Sequence, residues 1–193
     1  SPNSQAAAEL DRARALLPQD PDAALAITDA LLREYPEWRD ARLVAAEGSL
    51  NLAQVGGSAS GGLLLQDAQR NFVRALAGDA GEDQPDAWLQ LARIQTQLGD
   101  LKAASESAER AAAQFAARKT LAAQREIAAA RLVAADADFR RFVAVRQPER
   151  DTGTKDKDGR VPPGREAIEL ASVAAARFAQ VRDDYPVEAT TKV

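Results

Sequence analysis

Apolar and small residues recur along this chain at alternating steps of three and four, the spacing that keeps side chains on one face of an α-helix. Trp88, Leu91, Ala92, Gln95 and Leu98 mark one such face. After the pair Gly99-Asp100, Leu101, Ala104, Ala108, Ala111 and Phe115 mark a second. The spacing predicts two amphipathic helices joined at that pair. Glycine tolerates the left-handed backbone that ends a helix, and Asp100 can cap the helix that follows. Alanines at 92, 104, 108 and 111 let two backbones approach closely, leaving an outer apolar surface that needs a neighbour.

The same spacing organises the rest of the chain. Residues 6–17 have helical composition and stop at Pro18. Asp20 or Asp22 would cap a second helix carrying Ala24, Thr28 and Leu31, with Pro21 near its first turn. A third begins near Arg39, packs through Ala41, Ala45, Ala46 and Leu52, and ends before Val55, with Trp38 plugging the joint beside it. The Gly/Ser stretch over 55–62 reads as a flexible linker. Residues 63–77 resume helical spacing through Ala68, Phe72 and Ala75, and 78–84 form an acidic, Gly-containing turn. One long helix is expected over 118–145, with a stripe of Leu121, Arg125, Ala128, Leu132, Ala135, Phe139 and Phe142, ended by Pro148. The polar stretch 147–164 reads as an exposed, flexible insert. A last helix starts near Arg165, with Ala167, Ala171, Ala174, Phe178, Val181 and Tyr185 on one face.

The stretch 85–111, PDAWLQLARIQTQLGDLKAASESAERA, resembles a tetratricopeptide repeat, a helix-turn-helix unit of about 34 residues. Trp88, Leu91, Ala92, Gly99-Asp100, Ala104, Ala108 and Ala111 stand at the family's spacings. The chain departs from the pattern at Gln95, where an aromatic is usual, at Ala108, where Phe is usual, and at Ala116, which replaces a closing Pro. Ala24, Thr28, Leu31 and Pro36 fit the second helix of the same repeat, as do Ala68, Phe72 and Ala75. The end of the last helix aligns Ala174 with Ala24, Tyr185 with Tyr35 and Pro186 with Pro36. The resemblance implies an all-α, right-handed solenoid of hairpins, a single domain over 1–193 with units near 6–36, 39–77, 85–115 and 118–186.

In that family the first helices line a concave wall that holds a peptide or helix of a partner protein. Carried over, the resemblance places Asp40, Leu43, Glu47, Leu50, Asp86, Leu89, Arg93 and Thr96 on the wall. Leu43, Leu50 and Leu89 would be exposed apolar anchors, with Glu47 and Arg93 setting register. The Lys/Asn/Arg clamp by which some members hold a terminal carboxylate has no counterpart, since Arg93 is the one cation there. The resemblance thus implies a scaffold or adaptor that binds protein and performs no catalysis.

Composition narrows the chemistry. The 193 residues carry a formal net charge of -4, with neither cysteine nor histidine. Nucleic acid is not an expected partner, because phosphate binding rests on clustered Lys and Arg. The commonest general base and the thiolate metal ligand are both missing, no cofactor motif is seen, and no apolar run is long enough to cross a membrane. A chain that starts at Ser1 and has no Met reads as a processed or excised piece.

Acidic pairs at Glu9 and Asp11, Glu82 and Asp83, Asp136 and Asp138, and Asp183 and Asp184 read as solvated faces and caps rather than acid-base machinery. The loop TKDKDGRV over 154–161 shares Asp156, Asp158, Gly159 and Val161 with a calcium loop, but Thr154 and Arg165 occupy key ligand positions, so an Asp-Gly turn is expected. The 121–142 stripe could be a self-association seam, though Arg125 within it favours packing inside the chain. Two other roles fit the pattern: a docking or regulatory segment of a larger enzyme, or a structural component of a bacterial envelope assembly. The latter is suggested by the Tyr-Pro helix endings, which resemble those of repeat lipoproteins. The compartment, cytoplasmic or cell envelope, stays open.

Overall fold

Side chains of Asn3, Asp20 and Thr120 start three of the described helices. Asn3 Oδ1 accepts from the amide of Ala6 at 2.8 Å, Asp20 Oδ1 from Ala23 at 3.0 Å, and Thr120 Oγ1 from Ala123 at 3.1 Å. Each satisfies an amide that a first helical turn leaves without a partner, worth about 1 kcal/mol. Of the two candidates, Asp20 is the cap, with Pro21 in the first turn. Asp100 occupies the expected capping position without making the side-chain bond.

The computed structural model describes residues 1–55, 58–118 and 120–184, and among them it is all-helical, with no strand. In chain order the helices are α1 (Ser4–Leu16), α2 (Pro21–Glu34), α3 (Arg39–Val55), α4 (Ser58–Ala75), α5 (Pro85–Leu98), α6 (Leu101–Ala117), α7 (Leu121–Thr152) and α8 (Arg165–Asp184), with a 3-10 turn at Gly78–Gly81. None is long and apolar enough to cross a membrane. By its contacts the chain divides into two compact units, Ser1–Leu98 and a second from Gly99 onward. The boundary falls at the Gly99 turn, whose φ of 82° is the left-handed conformation expected there. Residues 56, 57, 119 and 185–193 lie outside the description, and with them Tyr185 and Pro186.

In the first unit each helix packs against the next, from α1 to α5. Ala6, Leu10, Ala13, Leu17, Ala24, Leu31, Ala41 and Val44 form its first core, with Tyr35 and Trp38 packed against it edge to face at 5.9 Å. Gly48 on α3 lets α2 come close: a Cβ there would stand 3.1 Å from Leu25 Cδ2. Phe72, Leu76, Leu91 and Ile94 are fully buried further along, each worth roughly 1.5 to 3 kcal/mol. Gln95 is buried too, and its Oε1 finds no donor among the described residues.

The Gly/Ser stretch departs from expectation. Residues 58–62 belong to α4 rather than to a linker. Propensity is a weak prior that packing overrides, and α4 is pinned by Ala68, Phe72 and Ala75. Gly61 is itself buried, with the Ala53 carbonyl 3.7 Å from where a Cβ would be.

In the second unit α7 packs against α6 on one side and α8 on another. Ala104, Ala108, Ala111 and Ala112 of α6 are buried, as are Ala123, Ala130, Ala134, Ala135 and Ala137 of α7 and Ala167, Leu170 and Ala174 of α8. The expected α7 stripe is therefore rotated. Ala135 is buried, but Leu132 is 49% and Phe139 47% exposed. Small side chains win the interior face because they permit the closest backbone approach.

Pro148 does not end α7, which runs to Thr152. Proline removes one amide donor, and side chains shore up the turns around it. Thr152 Oγ1 donates to the Pro148 carbonyl at 2.8 Å, and Gln147 Nε2 donates to both Asp151 oxygens at 3.1 Å. The insert after it is exposed along 151–160 yet tied at its far end. The Gly164 amide donates to Glu149, 3.1 Å from Oε2, and Arg146 donates to the Val161 carbonyl. Within it Asp156 Oδ1 accepts from the amides of Asp158 and Arg160, both at 2.9 Å, around Gly159 at φ 74°. That is an Asp-Gly turn whose carboxylate is engaged by backbone.

Candidate functional site

All eight residues that the repeat resemblance assigns to a concave wall lie in the first unit, on α3 and α5. Asp40, Glu47, Asp86 and Arg93 are exposed, and Leu43 and Thr96 are half-buried. Leu50 and Leu89 are core residues, 8% and 3% exposed. They cannot be surface anchors. Helical spacing marks which residues share a face, but not how much of that face the neighbouring elements cover. Thr96 turns its hydroxyl onto its own helix, donating to the Ala92 carbonyl at 2.9 Å. The anchor that remains is Leu43, one turn from both Asp40 and Glu47.

The electrostatics around Asp40 and Glu47 are set in part by Arg14 of α1. Its guanidinium lies 3.0 Å from Asp11 and 3.9 Å from Asp40. Glu47 sits close enough to the packed surface that desolvation raises its carboxyl pKa, while the positive charge of Arg14 opposes the rise. Arg14 was legible only as one residue of a charged helix; its reach to α3 depends on how α1 and α3 pack.

Arginines face members of three of the acidic pairs. Asp136 pairs with Arg140 at 2.8 Å, Glu9 with Arg12 at 3.7 Å, and Asp183 with Arg182 at 2.7 Å, which lowers the Asp183 pKa through that hydrogen bond. Asp138 is buried. It accepts from Ser105 at 3.1 Å and faces Arg141 at 3.0 Å and Arg177 at 2.9 Å. Arg177 also pairs with Glu109. Ser105, Asp138, Arg141 and Arg177, with Lys102, Glu166 and Glu169, line a hollow of ≈ 410 Å³ in the second unit. Both Asp138 oxygens are occupied by donors, so the group serves as an ionic tie between α6, α7 and α8. A general base needs a carboxylate free to take a proton.

Among the described residues no cluster of three or more acidic side chains is placed to hold a metal ion. No protein-family model matches this chain, and no curated protein sequence matches it either.

Proposed function

We propose that this chain is a protein-binding scaffold built of tetratricopeptide-like hairpins stacked as a right-handed solenoid, holding a peptide or helix of a partner protein and performing no chemistry. The observation that carries this reading is the half-buried Leu43 on α3 with the exposed Asp40 and Glu47 one turn to either side of it, together with the exposed Asp86 and Arg93 on α5 of the same unit. Asp40, Glu47 and Arg93 are not part of the core. A partner segment with one apolar side chain for Leu43, a cation for Asp40 and Glu47 and an acid for Arg93 would be complementary.

The test is capture of the natural partner from native lysate by the intact chain and by a Leu43→Glu/Arg93→Glu variant. Loss of the partner with circular dichroism unchanged supports the wall. Equal capture by both overturns it. Leu89→Arg is not a usable probe, because burying a charge at that core position reports folding instead of binding.

A further inference from the structure

α2 and α4 both pack on α3, and the trough left between them is basic in a chain whose net charge is -4. At one end Arg33, Arg42 and Arg74 line a hollow of ≈ 530 Å³ with Asp29, Leu32 and Pro36. Asp29 and Arg74 are shared with a second hollow of ≈ 330 Å³, lined also by Leu25, Leu64, Asp67 and Arg70. The two are therefore contiguous.

Arg42 sets the character of the first hollow. It is only 8% exposed, yet the oxygens it bonds are neutral: the Pro36 carbonyl and Asn71 Oδ1 at 3.4 Å. Its nearest carboxylate, Glu37, is 3.9 Å away on a side chain that is 94% exposed, a geometry of little worth in water. Arg33 spends its Nε on the Asp29 backbone carbonyl at 3.2 Å, and Arg74 makes no hydrogen bond or ion pair among the described residues. In the second hollow, by contrast, Arg70 is paired with Asp67. A buried cation held in place by neutral oxygens, with two exposed cations beside it, is a preformed receptor for oxyanions, which arginine forks hold in pairs of hydrogen bonds.

We propose that this trough binds an acidic peptide segment of a partner protein, its carboxylates against Arg33, Arg42 and Arg74 and its apolar side chains along Leu32, Leu25 and Leu64. The continuation into a second hollow, which adds Leu25, Ala45 and Leu64 to a mostly polar lining, favours an extended chain over a small free anion. The site goes beyond the wall reading: positions 42, 45 and 49 on α3 are two residues from 40, 43 and 47, hence roughly 200° around the helix. The two surfaces can fail separately.

The probe is fluorescein-labelled hexaglutamate, followed by anisotropy with the full chain in low salt. An Arg33→Glu/Arg74→Glu variant should bind at least roughly tenfold more weakly, with circular dichroism unchanged, while Arg12→Glu on α1 should bind as the parent does. Affinity should fall on raising salt toward ~0.15 M, and the Nε–Hε resonances of Arg33 and Arg74 should shift on titration. Equal losses in both variants would mean diffuse attraction and overturn the site. Binding of inorganic phosphate with the same arginine dependence, but not of hexaglutamate, would overturn the peptide as its occupant. Because Leu43→Glu/Arg93→Glu leaves the trough intact, that variant should still bind hexaglutamate.

Discussion

Arg177 on α8 reaches back to Asp138 on α7, Nε to Oδ2 at 2.9 Å, and the aspartate it meets is buried. Ser105 of α6 donates to the same oxygen, so one carboxylate joins three helices. Removing one side of a buried charge pair leaves the other uncompensated, which costs more than the pair itself stabilises. Arg141 and Arg177 are partly solvated and relieve some of that penalty. Asp138→Ala should therefore destabilise the second unit by about 2 kcal/mol, and Arg177→Ala by about 1 kcal/mol, since Arg141 still faces Asp138. A double-mutant cycle in urea checks this. Strict additivity of the two changes would show that the contact contributes nothing of its own.

Glu47 predicts a pH dependence in the first unit. Desolvation raises its folded-state pKa above the ordinary carboxylate value, and Arg14 opposes the rise. The folded state therefore holds the proton more tightly than the unfolded one. Stability from this group is full below the unfolded pKa and declines as pH rises through the folded pKa. Glu47→Gln should leave stability unchanged near pH 3, raise it near pH 7, and flatten the curve between. Arg14→Ala should steepen the same decline in the parent. Denaturant midpoints across that range decide it, and a Glu47→Gln difference independent of pH would show that the carboxyl's charge is not responsible.

Gly81 and Trp88 form a second tie in the first unit. The indole N–H donates to the Gly81 carbonyl at 2.8 Å, and the ring lies over the glycine itself. A Cβ on residue 81 would stand 2.5 Å from the Leu76 carbonyl and 2.9 Å from Trp88 Cζ2. Backbone on one side and a packed ring on the other leave nothing flexible to yield. Gly81→Ala should cost about 1 to 3 kcal/mol, and Trp88→Phe about 1 kcal/mol through the hydrogen bond alone. Thermal melts of both variants test the tie; an unchanged Gly81→Ala melt would mean that the turn relaxes freely.

Helix content and most boundaries were legible because they rest on local signals. Asp20 and Pro21 announce α2, Gly99 ends α5, and Trp88, Leu91 and Ala92 are buried as their spacing requires. What escaped depends on partners distant in sequence. Leu50 and Leu89 look like surface positions on a helical wheel, and only packing with neighbouring elements shows them to be core. Arg42 and Asp138 look like ordinary surface charges, although Asn71 and Arg177, their partners, stand 29 and 39 residues away. The helical state of residues 58–62 was hidden for the same reason: their glycines argue locally against a helix that Ala68 and Phe72 hold in place. Of the residues carried over from the repeat resemblance, the charged Asp40, Glu47, Asp86 and Arg93 are exposed, whereas the apolar Leu50 and Leu89 are not.

The rotated face of α7 offers the sharpest test of how the second unit is packed. If the leucine and phenylalanine stripe faced inward, Leu132→Gln would bury an amide and cost several kcal/mol, and Ala134 would be a tolerant surface position. The structure reverses both expectations. Leu132 is half exposed, whereas Ala134 is fully buried. Leu132→Gln should change stability by no more than about 0.5 kcal/mol. Ala134→Leu should cost about 1 to 3 kcal/mol, since the added methylenes must push against close-packed backbone. Urea unfolding of the two variants beside the parent distinguishes the packings. A strongly destabilised Leu132→Gln paired with an unaffected Ala134→Leu would turn α7 back onto its larger apolar stripe.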